Sequence, residues 1–331
     1  MNFRDAIAHF SSLLSQPAEF VPENRVFVSD ADFGRKLGLS RLGLHYVILP
    51  PHCRSSLPHA ESHEEEFIFV LSGQPHLWLD GHLFQMRERD CVAFASGTGV
   101  SHTIINNSDR EVHLFVAGER TKAENRCVFP LDPEMHEISG IGWRDAPKRE
   151  RGPHEGWPER YATATSRGSQ SPEPPPQLRP LASIDVQPSF SYTDSAETFS
   201  EGRRIGRDLG LQRLGLWFEQ LPPGKRTSWP HAHLKEEEFV FVLSGQPQVW
   251  LNGITVDLKP GDGVAFPAGT GLAHTILNPG SEPSELIVCG ESTIENDRIF
   301  YPLHPERNAE CRREGSLWEN PPTPVMTDKS K

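Results

Sequence analysis

The sequence predicts an all-β protein in which one barrel or sandwich fold occurs twice. Three observations support this: a long internal repeat, short apolar segments that alternate with polar residues, and abundant turn residues. The 331 residues include 30 prolines and 27 glycines, a composition that favours many turns over long helices. A chain of this length has room for two domains, each with its own core.

The internal repeat has a constant offset of 172 residues and no gap from about Gly34 to Glu134. The stretch PHAESHEEEFIFVLSGQP, from Pro58, returns as PHAHLKEEEFVFVLSGQP from Pro230, with 14 of 18 positions identical. A unit of this length is too long for a solenoid repeat, so we predict two domains of one fold. The predicted boundaries are 1–150 for the N-terminal domain, 151–190 for a linker and 191–331 for the C-terminal domain.

Within each copy the pattern predicts short strands. In the second copy, EFVFVLSG alternates in hydrophobicity, and QVWLNGITVDL has the pattern of a hairpin that turns at Asn252 and Gly253. The next segment, KPGDGVAFPAGTG, supplies a turn, a strand and a Gly-rich loop before the strand AHTILN. Short strands at regular spacing, separated by Gly and Pro turns, are typical of a sandwich or barrel.

Helices are expected only at the periphery. Phe3, Ile7, Phe10 and Leu14 have helical spacing and predict a short amphipathic helix at the N-terminus. Between the copies, the segment SRGSQSPEPPPQLRP at 166–180 is rich in Ser and Pro, which predicts a flexible or polyproline-like linker.

Charge and cysteine content limit the expected partners. The net charge of -12 argues against nonspecific binding to nucleic acid. The N-terminus does not have the pattern of a secretory signal, and no apolar run reaches the roughly 20 residues that span a bilayer. The five cysteines show no CxxC pattern, so neither a disulfide framework nor a Cys-based zinc site is predicted. We expect a cytoplasmic protein that acts on a small molecule, with neither nucleic acid nor membrane as a partner.

One group of residues in the second copy has the composition of a metal site. His231 and His233 are two apart on a predicted strand, so both rings leave the same face. Glu238 follows, and His274 begins a later strand. Three imidazoles and a carboxylate suit a divalent ion such as Fe, Mn, Ni, Cu or Zn. The alternative is a hydrogen-bonded polar cluster in a metal-free barrel, which is costly to bury.

Two further carboxylates, Glu236 and Glu237, compete with Glu238 for the position of the metal ligand. The six-residue spacing from Glu238 to Gly245 favours Glu238. We therefore predict that Glu236 and Glu237 are turn residues that face solvent.

These residues resemble the two motifs of the cupin superfamily. The first motif matches Gly224, His231, His233, Glu238 and Gly245, and the second matches Gly261, Pro267, Gly269, His274 and Asn278. The gap of four residues between Gly269 and His274 is longer than the commoner two. The resemblance covers both repeats and implies a two-domain bicupin of jelly-roll (double-stranded β-helix) barrels with short peripheral helices. It also implies that His231, His233, Glu238 and His274 are the metal ligands.

The first copy aligns His59, Glu61, Glu66 and His102 with these ligands. Its second motif has Arg89 in place of Gly261 and Ala95 in place of Pro267. Two imidazoles with two carboxylates can still hold a metal ion. We expect this second site to be weakened or vacant, with the chemistry in the second copy.

The resemblance implies a metal-dependent enzyme, and we predict a non-haem oxygenase or oxidoreductase with Fe(II) as the favoured ion. Glu238 would be both a ligand and a proton acceptor. Val240, Val242 and Ile276 are predicted to face inwards, which favours a partly apolar organic substrate. The alternatives are an O2-independent isomerase, decarboxylase or lyase, and a non-catalytic protein that binds a small ligand. Exposed sheet edges predict either pairing of the two copies or a homodimer.

Overall fold

The computed structural model describes residues 5–16, 18–21, 26–120, 122–138, 140–157, 173–292 and 295–326. Its architecture is two barrels of antiparallel strands with a few short helices at their edges. The all-β class, the duplication and the peripheral position of the helices are thus confirmed.

The first barrel consists of a seven-stranded sheet in the order β13-β9-β6-β11-β4-β3-β2, a three-stranded sheet in the order β10-β7-β8 and the pair β12-β5. Its strands are β2 (Ala18–Val21), β3 (Val26–Asp32), β4 (Leu42–Leu49), β5 (Ala60–Glu61), β6 (Glu66–Ser72), β7 (His76–Leu79), β8 (His82–Gln85), β9 (Asp90–Phe94), β10 (His102–Ile105), β11 (Val112–Glu119), β12 (Cys127–Val128) and β13 (Leu178–Pro180).

The second barrel repeats this plan. Its sheets have the orders β1-β20-β17-β22-β15-β14, β19-β18-β21 and β16-β23. The strands are β1 (Ile7–His9), β14 (Glu201–Arg203), β15 (Leu214–Leu221), β16 (Ala232–His233), β17 (Glu238–Ser244), β18 (Gln248–Leu251), β19 (Ile254–Asp257), β20 (Asp262–Phe266), β21 (His274–Leu277), β22 (Ser284–Glu291) and β23 (Ile299–Phe300).

The two copies exchange their first strands. Strand β1, which precedes the first barrel in the sequence, pairs with β20 of the second barrel. Strand β13 begins 171 residues after β1 and pairs with β9 of the first barrel. Each copy therefore completes the large sheet of the other, and the expected pairing of the copies within one chain is confirmed. A homodimer remains a prediction.

Two expectations for the connecting segments were wrong. Residues Ile7–His9 form a strand and only α1 (Phe10–Leu13) is helical, because the backbone of β1 finds partners along the edge of β20. Leu178–Pro180, assigned from composition to a flexible linker, form β13 for the same reason. The first part of the Pro/Ser-rich stretch, 166–172, and Phe3 lie outside the described residues.

The remaining helices are short and lie between or beside the sheets. They are α2 (Phe33–Lys36), α3 (Met135–Ile138), α4 (Ile205–Asp208), α5 (Pro305–Glu314) and a 3₁₀ turn at Leu181–Ser183. Within the described ranges, no helix is both long and apolar enough to cross a membrane. All five cysteines are free thiols. The cytoplasmic location stays a prediction.

The two large sheets pack against each other through a shared apolar core. Phenylalanines from both copies meet there, among them Phe67 and Phe115 of the first and Phe239 and Phe241 of the second. Phe115 and Phe241 stack with ring centroids 5.1 Å apart. Burying this much aromatic surface favours a fixed arrangement of the two barrels.

A pair of buried glutamates joins the copies at the rim of this core. Glu237 is 2% exposed, and its carboxylate accepts hydrogen bonds from the backbone N–H groups of Ser40, Arg41 and Leu42 at 2.9, 2.9 and 3.2 Å. The prediction that Glu237 faces solvent was therefore wrong. These three N–H groups have no partner within their own turn, so a carboxylate from the other copy satisfies them.

The equivalent glutamate of the first copy makes the reciprocal contact. Glu65 is also 2% exposed and accepts hydrogen bonds from the N–H groups of Gln212, Arg213 and Leu214, at 2.9 to 3.0 Å. The guanidinium of Arg213 then pairs with Glu119 at 2.7 Å. The arginines before the strands thus make ion pairs between the copies.

Candidate metal site and cavity of the second barrel

The four residues predicted to bind metal come from three neighbouring elements of the second barrel. His233 lies in β16, Glu238 begins β17 and His274 begins β21, while His231 forms an isolated bridge with His274. The antiparallel pairing of these segments brings positions that are distant in sequence to one end of the barrel.

The four side chains converge on one carboxylate oxygen. Oε2 of Glu238 lies 3.0 Å from Nε2 of His274, 3.5 Å from Nε2 of His233 and 3.6 Å from Nε2 of His231. This oxygen is buried and has no hydrogen-bond partner among the described residues. A buried carboxylate oxygen without a partner is costly, and a cation among these four groups would remove that cost.

The other ring nitrogen of each histidine has an acceptor outside the cluster. Nδ1–H of His231 donates to the carbonyl of Trp229 at 2.8 Å, and that of His274 donates to the carbonyl of Leu272 at 3.2 Å. Nδ1–H of His233 donates to the Asp297 carboxylate at 2.5 Å. When the rings are neutral, Nδ1 carries the proton in this arrangement and each Nε2 directs a lone pair to the centre, as a metal ligand must.

The three carboxylates around His233 also favour a positive charge at this position. Burial would lower the pKa of His233, but the carboxylates of Glu238, Glu236 and Asp297 raise it to about 9. Burial and the neighbouring Glu238 raise the pKa of Glu236 to about 8. Glu236 lies 3.6 Å from His233 and is half-buried, so the prediction that it faces solvent was wrong as well.

A cavity of about 300 Å³, called here the metal-site cavity, opens beside these residues. His231, Glu238 and His274 are part of its wall, together with the apolar side chains of Val240 and Ile276. Further aromatic side chains in the wall are Phe190, Tyr192, Trp217 and Phe266. Of the three residues predicted to make this pocket apolar, Val240 and Ile276 line it, while Val242 lies deeper in the barrel core.

Two carboxyl groups that line this cavity, those of Glu219 and Glu236, do not belong to the metal motif. Glu219 lies on β15, and Oγ–H of Ser200 donates to it at 2.6 Å. Burial, with a smaller contribution from the charge of Glu238, raises its pKa to about 7. A carboxyl with such a pKa can accept or donate a proton near neutral pH.

A family model described as a cupin domain matches the chain twice, at residues 45–118 and 217–290. Each match covers one of the two barrels and includes its candidate ligands on β6 and β10 or on β17 and β21. The chain is a two-domain cupin. The bicupin assignment from the sequence is therefore confirmed.

The bicupin resembles several known proteins. It is 26% identical to a protein named polyketide synthase CurC, from Streptomyces cyaneus, over 148 residues that cover 40% of this chain and 92% of that protein. An oxalate decarboxylase from Lactobacillus farciminis superposes with a TM-score of 0.56 at 16% identity, covering 92% of this chain and 90% of that one. The vicilin of tomato, Solanum lycopersicum, gives 0.53 at 15% identity, covering 95% and 94%. At such identities the two solved structures show the fold alone.

The first cupin domain brings together only three of its four aligned residues. His59, Glu66 and His102 offer ligand atoms within 4.8 Å of one another, and Nε2 of His102 lies 2.9 Å from Glu66. Nδ1 of His102 is buried without a hydrogen-bond partner in the described part of the chain, so its tautomer is not fixed as that of His274 is. These three residues could hold a metal ion.

Glu61 does not join this cluster. It lies on β5, its carboxyl oxygen is 3.8 Å from the thiol of Cys127, and Asn125 donates a hydrogen bond to it. Burial, with the charges of Glu66 and Glu64, raises its pKa to about 8. Asn125 occupies the position of Asp297 in the repeat. The pair His233 and Asp297 of one domain thus corresponds to Glu61 and Asn125 in the other.

Motif spacing did not identify Glu219, Asp297, Tyr192 or Trp217, since each reaches the site from another segment. The repeat did contain a signal for two of them. The second copy has His233 and Asp297 at two positions where the first copy has other residues. Glu219 likewise occupies the position of Val47 in the first copy. Paired differences between the copies would therefore have pointed to the site.

Proposed function

We propose that this bicupin is a metal-dependent enzyme whose second domain holds one divalent ion, with Fe(II) favoured. The ligands would be His231, His233, Glu238 and His274. The observation that carries the proposal is the buried Oε2 of Glu238, which faces three imidazole nitrogens and accepts no hydrogen bond from the described residues. A divalent ion bound there would supply open coordination positions and, if redox-active, electron transfer.

The protein's own groups would orient the ligands and shape the substrate site. Asp297 and the carbonyls of Trp229 and Leu272 hold the three imidazoles with Nε2 directed inwards. Aromatic and aliphatic side chains form part of the wall of the metal-site cavity, whose volume of about 300 Å³ suits a small organic molecule. Glu219 holds a proton that it can exchange with a bound molecule.

The leading candidate is an oxygenase acting on a small, partly apolar substrate. Val240, Ile276 and the aromatic wall favour such a molecule over a free sugar. The 26% identity with a protein named polyketide synthase supports a polyketide-like substrate. Proton acceptance by Glu238, predicted from the sequence, is better assigned to Glu219, because its carboxyl is not needed as a ligand and its pKa is near neutral.

The second candidate is O2-independent chemistry, such as isomerisation, decarboxylation or elimination. A specific observation favours it. The buried carboxyl group of Glu219 lies beside the candidate metal site, where it could transfer a proton to or from a carbon atom of the substrate. Both candidates use the same ion and the same cavity, and they differ in whether O2 is consumed.

Two measurements test the proposal. Elemental analysis of protein purified without added metal should find about one divalent ion per chain, and about none in His274→Ala. The Fe(II)-loaded protein is then incubated with a panel of hydroxylated aromatic and short-chain carboxylic compounds, with and without O2. Substrate-dependent O2 consumption supports the oxygenase, and turnover that is equal under nitrogen supports the second candidate. Absence of metal and of turnover would leave a ligand-binding protein.

A further inference from the structure

A second cavity lies beside the metal-site cavity, and its wall is positively charged. It has a volume of about 730 Å³ and is called here the arginine cavity. Arg204 and Arg207 line it, and no carboxylate is found among its lining residues in the described part of the chain.

The equivalent residues of the first domain form an ion-pair cluster. The repeat aligns Arg204 with Asp32, Arg207 with Arg35 and Ser292 with Arg120. In the first domain, the carboxylate of Asp32 lies 3.1 Å from the guanidinium of Arg120 and 3.5 Å from that of Arg35. Two arginines there pair with one carboxylate, and of the two only the Arg120 side chain is largely buried.

In the second domain two sequence differences remove this ion-pair cluster. Ser292 is too small to fill the volume that Arg120 occupies, and Arg204 puts a positive charge where Asp32 is negative. The second domain thus has no equivalent of the Asp32 carboxylate, which in the first domain pairs with Arg35 and Arg120. Nη2 of Arg204 donates to Oε1 of Gln187 at 2.8 Å, but its buried Nε has no hydrogen-bond partner among the described residues.

An aromatic ring completes the wall. The guanidinium of Arg204 lies 5.7 Å from the ring centroid of Trp217, which occupies the position of His45 in the first domain. A cation over an aromatic face is a weak contact that leaves the hydrogen-bonding edge of the guanidinium available. Arginine donates through that edge to carboxylate or phosphate oxygens, which it recognises better than neutral groups.

We propose that the arginine cavity binds a small organic anion, whose carboxylate or phosphate group pairs with Arg204 and Arg207 while its apolar part packs on Trp217. The cavity adjoins the metal-site cavity, because Gly215, Trp217 and Ser292 line both. An anion held by the arginines can extend along Trp217 towards the histidines. The role of the arginine cavity as an anchor for the substrate rests on the proposed function, whereas the binding of an anion does not.

The test is calorimetric titration of the full-length protein with benzoate and with phenyl phosphate, and with benzamide as a neutral analogue. We expect one of the two anions to bind, and benzamide to bind about tenfold more weakly or not at all. Arg204→Gln and Arg207→Gln should each weaken anion binding about tenfold or more. Arg35→Gln, the matched change in the first domain, should leave it unchanged. Benzoate and phenyl phosphate distinguish a carboxylate from a phosphate site.

The double variant Arg204→Asp with Ser292→Arg provides a folded control. It rebuilds the ion pair that Asp32 and Arg120 form in the first domain, so it should fold and lose anion binding. Unchanged affinity in both single variants, or benzamide binding as tightly as benzoate, would overturn the proposal.

Titrations of the EDTA-treated protein and of Glu238→Gln separate this proposal from the metal site. Anion binding that persists in both supports the arginine cavity, even if elemental analysis finds no metal and the proposed function fails. Binding that is lost in both but unaffected by Arg204→Gln would show that the anion is a metal ligand. That result would leave the proposed function standing and overturn the anion site.

Discussion

The carboxylate of Glu237 accepts a hydrogen bond from the backbone N–H of Arg41, 2.9 Å away in the other cupin domain. The repeat makes the same contact in reverse, since Glu65 accepts from the N–H of Arg213 at 2.9 Å. Adjacent glutamates therefore have different tasks: Glu237 joins the domains and Glu238 faces the histidines. The spacing of these glutamates is the same in both copies, and it therefore matters for the interface between the domains as well as for the candidate metal site.

Glu237→Gln should destabilise the whole chain. A neutral amide oxygen accepts hydrogen bonds more weakly than a carboxylate, and the amide NH₂ would face backbone donors in a site only 2% exposed. We expect the free energy of unfolding to fall by about 2–3 kcal/mol. Urea unfolding followed by fluorescence measures this. Glu282→Gln removes one exposed carboxylate and is the matched control, with an expected change within about 0.5 kcal/mol. Equal stability of the two variants would contradict the interface role.

The same contacts predict sensitivity to acid. Burial would raise the pKa of Glu237, but the hydrogen bonds from Ser40 and Arg41 and the charge of Arg41 hold it below the ordinary value of 4.5. A carboxyl whose pKa is lower in the folded protein than in the unfolded chain stabilises the fold at pH values above its ordinary pKa. This stabilisation is lost as the pH falls through the lower pKa of the folded state. The wild type should therefore lose more stability than Glu237→Gln when the pH is lowered from 6 to below 4.5. An equal loss of stability with falling pH in the wild type and in Glu237→Gln would count against this role of Glu237.

The fold and the centre of the site follow from local sequence signals. Alternating apolar residues and Gly turns specify the strands, and the spacing of His231, His233 and Glu238 places three candidate ligands on neighbouring strand ends. Glu219 could not be found in this way, because it reaches the site from the middle of another strand. The exchange of β1 and β13 depends on which sheet edge is free in the folded protein, and local pattern does not contain that information.

Asp297→Asn should weaken metal binding without unfolding the barrel. The carboxylate accepts the Nδ1–H of His233 at 2.5 Å and so holds the ring with Nε2 towards Glu238. Outer carboxylates of this kind typically change metal affinity about 10–100-fold, and we expect a loss in this range. Competition with a chelating dye measures it for Zn²⁺ or Co²⁺. Asn125→Asp, the reverse change in the first domain, should leave this affinity unchanged. An unaltered affinity in Asp297→Asn would refute the orienting role.

Glu219→Gln should flatten the dependence of stability on pH in the EDTA-treated protein. Burial raises the pKa of Glu219 to about 7, so the folded state holds this proton more tightly than the unfolded chain does. The stabilisation is fully present below the ordinary value of 4.5 and is lost as pH rises to about 7. The effect should be on the order of 3 kcal/mol in the wild type and absent in the variant. Urea unfolding at pH 5 and pH 8 compares them, and the infrared band of a protonated carboxyl should disappear in Glu219→Gln.

Glu61 and Asn125 give the sharpest test of why the first domain differs. The first domain has Glu61 where the second has His233, and Asn125 where the second has Asp297, so an imidazole and its carboxylate partner were exchanged together. Oδ1 of Asn125 accepts the backbone N–H of His63 at 3.0 Å, much as Oδ1 of Asp297 accepts that of Lys235 at 2.7 Å. An aspartate introduced at position 125 would therefore accept the same hydrogen bond from the backbone N–H of His63.

The double variant Glu61→His with Asn125→Asp should raise the metal content from about one ion per chain to about two. Glu61→His alone should bind the second ion more weakly, because the new ring lacks a carboxylate at Nδ1. Elemental analysis after dialysis measures the content, and Asp297→Asn in the same background shows which domain holds each ion. If the double variant still binds one ion, the free Nδ1 of His102, rather than the exchange at Glu61, limits the first site.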